Sequence, residues 1–287
     1  MARWVSGWLL LAALGLFAAR FVVQAEREAW LFLGSDRNGS FVVARYDVAN
    51  TGLFADQLTT RLAVLRDGGS PIAHRSISGP ALLDADGVHG ALDFFERKES
   101  GWEWAMGGDS LIAQGRTDAE ATCPPRLGSF NAIVDVPDEG GRGGDSHTLQ
   151  GRAVLARTRA LGNVSGGALY AFDGANVIGL DPLAECPGFL LLGAESSRVE
   201  TPWIPPDPDP TFSLTVAGHR LDVRLEPRRF TEGALDHALF AERWLAWGAG
   251  FRTPTITLLR ARVRVDGAPP WNGLVILRDH SAPGLSR

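Results

Sequence analysis

The sequence has few of the residues that build metal sites. Its 287 residues include only two cysteines and six histidines, and no Cys-x2-Cys, His-x-His or His-x3-His spacing pairs any of them. Structural zinc sites usually need such pairs of sulfur and nitrogen ligands. The sequence therefore predicts no metal ion and no other cofactor.

Basic residues are also in the minority. Lys and Arg number 28 against 33 Asp and Glu, which gives a formal net charge of −5 at pH 7. Binding to a phosphate backbone needs a basic surface, so nucleic acid is not an expected partner. With 45% apolar and only 21% charged residues, the chain is typical of a folded globular protein rather than a disordered one.

Two common catalytic signatures are missing. The sequence contains no Gly-x-Ser-x-Gly nucleophile elbow and no glycine-rich phosphate-binding loop. These two signatures therefore point to no catalytic residue.

The first 25 residues are typical of an export signal. Arg3 supplies a positive charge, an apolar run follows over 5–19, and Val23 and Ala25 suit a cleavage site before Glu26. The alternative is an uncleaved membrane anchor over 4–23, since about 20 apolar residues span a bilayer. Both interpretations predict an exported protein, periplasmic or extracellular, that contacts a membrane only through this segment if it is not cleaved.

Export changes how the two cysteines are interpreted. Two thiols in an oxidising compartment usually form a bridge, so we predict a disulfide between Cys123 and Cys186. Each cysteine precedes a proline, which is typical of a loop. The bridge would close a loop of about 63 residues and stabilise the fold by about 3–4 kcal/mol through the lost entropy of the unfolded chain.

From residue 26 onward the sequence pattern predicts short strands joined by turns. Asn38-Gly39 between two apolar runs is a hairpin signal, because both central residues of a type I′ turn need positive φ. Period-2 alternation marks 219–226 and 257–266 as half-buried antiparallel strands. On the second of these strands one face carries Arg260, Arg262 and Arg264, which either hold an anionic ligand or form a solvated face paired with Asp222 and Glu226.

Helical spacing occurs once, over 231–247, with Thr231 as the N-cap and Gly248 after the last turn. Five prolines in 201–210 predict a stiff, extended crossover. We therefore predict an all-β antiparallel sandwich or barrel with one helix near 231–247. Its parts are a β domain over 26–200, the crossover 201–210 and a C-terminal β region over 211–287.

A short self-similarity lies within the chain. Residues 78–87 and 165–174 share six identities in ten without a gap. This is either a duplicated unit or a chance match among common residues. In both interpretations each stretch is a strand, an Asp-Gly turn and a returning strand.

The aromatic residues give the first candidate binding surface. Strand alternation places Trp102, Trp104 and Met106 on one face. Indoles beside an adaptable thioether suit the wall of a cavity for a flat apolar ligand, and ordinary core packing is the alternative.

Carboxylates within apolar stretches are the candidates for proton transfer. Asp93, Asp173 and Glu195 each lie beside or at the end of an apolar run. A buried carboxyl group can donate a proton near neutral pH. Each of the three can equally be a residue of a turn or a strand end.

Glu28-Ala29-Trp30, the Asn38-Gly39 hairpin and the long strand after it resemble the opening of lipocalin-like proteins related to carotenoid hydratases. Residues 166–173 loosely resemble a later Gly- and Tyr-rich acidic motif of that family. The resemblance implies a fold of two barrel-like halves. It supports the fold more than any activity.

Three functions are consistent with these features. The first is an exported β-barrel or sandwich that binds a hydrophobic small molecule through Trp102, Trp104, Met106 and Tyr170. The second is a hydratase or isomerase on a lipocalin-like scaffold, with Asp173 as the catalytic acid. The third is a structural or surface-interaction module without a small-molecule site.

Overall fold

The protein was analysed as a computed structural model, which describes residues 7–15, 26–49, 57–65, 72–84, 86–107, 112–137, 144–161, 167–182, 184–193, 195–200, 204, 209–233 and 255–279. One helix, α1 (7–15), precedes 19 strands. Among the residues in these ranges, no helix combines the length and the apolar character that a membrane crossing requires. The predicted all-β fold is confirmed.

The first eleven strands form one antiparallel sheet. They are β1 (Glu26–Asp36), β2 (Phe41–Ala49), β3 (Gln57–Leu65), β4 (Ile72–Pro80), β5 (Leu82–Asp84), β6 (Gly87–His89), β7 (Phe94–Lys98), β8 (Gly101–Gly107), β9 (Ile112–Thr117), β10 (Gly128–Pro137) and β11 (Gly144–Leu161). Their order is β4-β3-β2-β1-β11-β10-β9-β8-β7-β6-β5. This curled sheet is the first half-barrel.

The remaining eight strands form the second half-barrel. They are β12 (Ala168–Phe172), β13 (Val177–Leu180), β14 (Gly188–Leu192), β15 (Glu195–Arg198), β16 (Thr211–Val216), β17 (His219–Gly233), β18 (Thr255–Val265) and β19 (Trp271–Asp279). Their order is β15-β14-β13-β12-β19-β18-β17-β16.

The two half-barrels share one topology. In each, the first strand lies inside the sheet and pairs with the last, β1 with β11 and β12 with β19. The predicted pair of barrel-like halves is therefore confirmed. By this topology, β12 of the second half-barrel corresponds to β1 of the first. The stretch 165–174 contains β12, however, whereas 78–87 runs from β4 to β6 and does not include β1. The short self-similarity therefore does not mark equivalent positions, although the described part of each stretch includes strand and turn residues.

The inner strands are buried on both faces. On β1, Trp30 and Phe32 point into the first half-barrel, while Leu31 and Leu33 point towards the second. On β12, Tyr170 packs in the layer between the sheets and Leu169 packs inside the second half-barrel. The alternation of strand side chains thus produces three apolar layers.

The disulfide prediction is confirmed. Cys123, between β9 and β10, is bonded to Cys186, between β13 and β14, across a sequence separation of 63. Because β9 and β10 lie in one sheet and β13 and β14 in the other, the bridge joins the two half-barrels.

The predicted start of the helix is wrong. Thr231 pairs with Thr257 within the β17–β18 ladder, and β17 continues to Gly233. A β-branched threonine beside Phe230 favours a strand where a neighbouring strand is available. The rest of the predicted helix, 234–247, lies outside the described residues.

Most of the predicted crossover 201–210 lies outside the described residues; in sequence it falls between β15 and β16, the two edges of the second sheet. The boundary between the sheets lies earlier, between Leu161 and Ala168. The division of the chain at residue 200 into separate parts stays a prediction.

Candidate functional site

The predicted aromatic face points into the first half-barrel. Trp102, Trp104 and Met106 alternate along β8 with side chains that face solvent, and their exposed fractions are 7%, 1% and 1%. Strand periodicity alone places them on this face. They belong to the apolar layer enclosed by the first sheet.

Rings from other strands complete an aromatic wall around this face. The ring centroid of Trp102 lies 4.7 Å from that of Trp30 and 4.9 Å from that of Phe95. Trp104 lies 5.4 Å from Phe32. Stacked and tilted pairs at these separations are favourable beyond the area they bury.

Gly115 creates the space for one of these rings. It lies directly opposite Trp104 in the β8–β9 ladder, and a Cβ atom on Gly115 would lie 2.5 Å from the Trp104 ring. Trp104 and Gly115 also line a solvent-open groove of about 310 Å³ together with Phe94 and Asn131.

Two buried indole N–H groups lie in this layer. Nε1 of Trp30 and Nε1 of Trp104 have no hydrogen-bond partner among the described residues, although the two side chains are only 3% and 1% exposed. A buried donor without a partner costs about 1–3 kcal/mol. Such donors are rare in folded proteins, so these two are candidates for binding an oxygen atom of a ligand.

A buried carboxylate lies in the same half-barrel. Asp93, just before β7, is 1% exposed. Its Oδ2 accepts a 2.7 Å hydrogen bond from the Thr60 hydroxyl on β3, and its Oδ1 accepts a 2.7 Å bond from the Gly107 N–H. Of the three carboxylates predicted for proton transfer, Asp93 is the one that the fold buries.

A tyrosine close to Asp93 has a perturbed hydroxyl. Tyr46 on β2 is completely buried, and its hydroxyl donates a 3.0 Å hydrogen bond to the Ala105 carbonyl. Burial, with the negative charge of Asp93 as the second cause, raises the pKa of Tyr46 well above its ordinary value of 10.0. The hydroxyl therefore stays protonated at neutral pH.

The rim beside Asp93 is apolar. Leu92, the residue before it, is 70% exposed, and Ile112 is 57% exposed. Ile112 pairs with Gly107, and Leu92 packs against the same glycine. Exposed aliphatic side chains thus surround the backbone that binds the Asp93 carboxylate.

Asp173 lacks the burial on which its predicted role rests. It is exposed, in the turn between β12 and β13. One carboxylate oxygen accepts hydrogen bonds from the N–H groups of Ala175 and Asn176, and the other accepts the Asn176 side-chain amide. Asp173 therefore stabilises a turn, as aspartate commonly does. Glu195, at the start of β15, is also exposed.

Tyr170 is not part of the tryptophan face. It is completely buried, in the layer between the two sheets. Its hydroxyl donates a 3.0 Å hydrogen bond to Asp181, which is 1% exposed. The first sheet separates this pair from Trp102, Trp104 and Met106.

Ionic groups of β2 and β3 share this middle layer. Asp47 binds both Arg45, at 2.7 Å, and Arg61. Burial lowers the pKa of Arg45, but Asp47 and, more weakly, Asp181 outweigh it and raise the pKa above its ordinary value. The apolar middle layer therefore also contains an ionic network of Asp47, Arg45 and Arg61.

Sequence reasoning missed Tyr46, Thr60 and Asp181. Thr60 carried a signal, because it is a polar residue on the inward face of a strand that also presents Leu58 and Leu62. Among the described residues, no group of three or more His, Cys, Asp or Glu side chains is arranged to hold a metal ion.

The sequence matches no protein-family model and no curated protein. Solved structures with similar folds include CghA with Sch210972, at a TM-score of 0.58 and 11% identity, covering 88% of this chain and 87% of that one. They also include kievitone hydratase from Nectria haematococca, at 0.46 and 12%, covering 88% and 87%. A putative AttH from Nitrosomonas europaea gives 0.49 and 12%, covering 90% and 93%. The similarity to CghA establishes the lipocalin-like fold.

Proposed function

We propose that the protein binds a hydrophobic small molecule in the first half-barrel. The aromatic wall of Trp30, Trp102 and Trp104 supports this proposal, because such rings offer a large apolar surface at fixed positions. CghA, whose structure was determined with Sch210972, has the same fold.

The observation that carries the proposal is the pair of buried indole N–H groups. Trp30 and Trp104 keep hydrogen-bond donors in an apolar layer with no acceptor among the described residues. A carbonyl, ether or hydroxyl oxygen of a ligand would remove the cost of leaving them unpaired. The expected ligand is therefore mainly apolar and carries at least one oxygen acceptor.

Fluorescence titration with polyene ketones and fatty acids tests this proposal. We expect a ligand to change the tryptophan emission of the wild type. We expect it to bind about tenfold more weakly to Trp104→Phe, which keeps a smaller aromatic ring but loses the indole N–H. Trp271→Phe, in the second half-barrel, is the matched control and should bind as the wild type does. If no ligand changes the emission, a surface-interaction module without a small-molecule site is the better explanation.

A second candidate function is a hydratase or isomerase. The observation that favours it is a buried carboxylate, Asp93, close to the protonated hydroxyl of Tyr46. A buried carboxylate can act as a general base that takes a proton from a substrate carbon or from the water that adds to it. We expect Asp93→Asn to abolish turnover of a bound alkene while ligand binding is retained, and Asp173→Asn to leave turnover unchanged. Turnover retained in Asp93→Asn would remove this function.

We also propose that the chain is exported. A disulfide between the half-barrels is compatible with an oxidising compartment. N-terminal sequencing of protein from the periplasm or medium should find Glu26 as the first residue. A full-length chain in the membrane fraction would instead indicate the uncleaved anchor.

A further inference from the structure

The second half-barrel carries a group of exposed arginines. Arg220 and Arg224 lie on β17, Arg262 and Arg264 lie on β18, and all four are exposed. Their parity along the two strands places them on one face of the sheet. We call these four residues the arginine face. The whole chain has a net charge of −5, so this concentration of positive charge runs against its composition.

The register brings like charges together. Arg224 and Arg262 are directly opposite in the β17–β18 ladder, which sets their Cβ atoms about 4.5–5.5 Å apart. Arg264 is two residues further along β18, about 6.6–7 Å away. Like charges in directly opposed positions destabilise a sheet, so the arrangement is unfavourable unless an anion lies between them.

The carboxylates on this face offset only part of its positive charge, since Asp222 lies directly opposite Arg264 in the β17–β18 ladder. Asp222 accepts hydrogen bonds from the Ser213 hydroxyl, at 2.6 Å, and from Arg220, at 3.0 Å. Glu226 is the second carboxylate with the same strand parity. Within the described part of the chain, no ion pair involves Arg224, Arg262 or Arg264.

Arg260, on the same strand, has a structural role. It has the same parity as Arg262, but its guanidinium donates hydrogen bonds to the carbonyls of Gly39 and Leu65 in the first half-barrel. It also lies over the Phe41 ring, at 5.4 Å from the centroid. This row of arginines therefore starts at the contact between the half-barrels and continues into solvent. There Arg264 faces Asp222 across the ladder, and Arg262 has no such structural partner among the described residues.

We propose that the arginine face binds a phosphoryl group, free or in a lipid headgroup. A guanidinium presents N–H groups in a planar fork that matches the oxygens of a phosphate. One dianion between Arg224, Arg262 and Arg264 would relieve their mutual repulsion. This site goes beyond the proposed function, because it lies on the second half-barrel and not in the aromatic layer of the first.

Calorimetric titration with inorganic pyrophosphate is the first arm of the test. We expect binding at low ionic strength that weakens as salt is added, because exposed charges are screened. Arg262→Gln should raise the dissociation constant about tenfold, and Arg224→Gln combined with Arg262→Gln should remove binding. Arg126→Gln is the matched control, since the Arg126 side chain is 75% exposed and outside the arginine face.

Vesicles separate the two sources of the phosphoryl group. Cosedimentation with vesicles of phosphatidic acid in phosphatidylcholine, and not with phosphatidylcholine alone, identifies a lipid headgroup. Pyrophosphate binding without cosedimentation identifies a free ligand. The proposal is overturned if neither probe binds the wild type, or if Arg262→Gln binds both probes as well as Arg126→Gln does. All three substituted positions are exposed, so circular dichroism should show unchanged folding.

Discussion

The hydroxyl of Thr60 lies 2.7 Å from Oδ2 of Asp93 and donates a buried hydrogen bond to it. Thr60 is on β3, next to the edge strand β4, whereas Asp93 precedes β7 near the other edge of the same sheet. The bond therefore joins the two ends of an eleven-stranded sheet. It links these two parts of the curled sheet, and it places a carboxylate inside the first half-barrel.

Removal of the Thr60 hydroxyl should destabilise the protein. Thr60→Val keeps the side-chain shape but leaves one oxygen of a buried carboxylate without this donor, at a cost of about 1–3 kcal/mol. Urea unfolding measures the change. Thr148→Val, at an exposed position on β11, is the control and should stay within about 0.5 kcal/mol of the wild type. Equal stabilities of Thr60→Val and Thr148→Val would contradict the buried bond.

A methyl group at position 115 should disturb the aromatic wall. Gly115→Ala places a Cβ 2.5 Å from the Trp104 ring, so the ring or the strand must move, at a cost of about 1–3 kcal/mol. Thermal unfolding measures the loss, and the near-ultraviolet circular dichroism of the tryptophans should change with it. Gln114→Ala, exposed on the same strand, should change neither. An unshifted melting temperature in Gly115→Ala would show that the wall is loosely packed.

Loss of the disulfide should weaken the whole fold. Cys123→Ser combined with Cys186→Ser frees a loop of 63 residues, and removal of a native disulfide typically costs about 2–5 kcal/mol. Because the bridge joins the half-barrels, we also expect the unfolding transition to broaden as they begin to unfold separately. The reduced wild type should melt as the double variant does. A reduced protein that is as stable as the oxidised one would rule out a stabilising bridge.

The contribution of Tyr46 to the free energy of unfolding should decrease at high pH. Its pKa in the folded state is raised above the ordinary value of 10.0, so below that pH both folded and unfolded chains hold the proton. As the pH rises further, the unfolded chain releases the proton first, and unfolding becomes more favourable. The stability difference between the wild type and Tyr46→Phe should therefore be constant below about pH 10 and shift against the wild type above it.

Ultraviolet absorbance measures the pKa of Tyr46 independently. The chain has two tyrosines, so Tyr170→Phe leaves Tyr46 as the only tyrosine that titrates. Its ionisation should occur above the range of an ordinary tyrosine for as long as the protein stays folded. Normal titration of the folded variant would show that Tyr46 is accessible to water.

Part of the candidate site followed from local periodicity. Trp102, Trp104 and Met106 share a face in any strand, since side chains alternate with a period of two. The Cys123–Cys186 bridge followed from two thiols and the expectation of an oxidising compartment. By contrast, Asp93 and Asp173 have similar apolar neighbours in sequence, and only one is buried. Asp173 binds its own turn, while Asp93 meets Thr60 through a contact between distant strands.

The sequence by itself determined the all-β class, the inward face of β8 and the disulfide, because each depends on local spacing or on composition. The tertiary structure alone decided which layer each inward side chain occupies. Tyr170 obeys the same alternation as Trp104, yet the stacking of two sheets places it in a different apolar layer. It also decided which arginines remain exposed, since Arg260 reaches the first half-barrel and Arg262 does not. Such outcomes depend on sheet order and curl, which pair residues far apart in the chain and leave no local pattern.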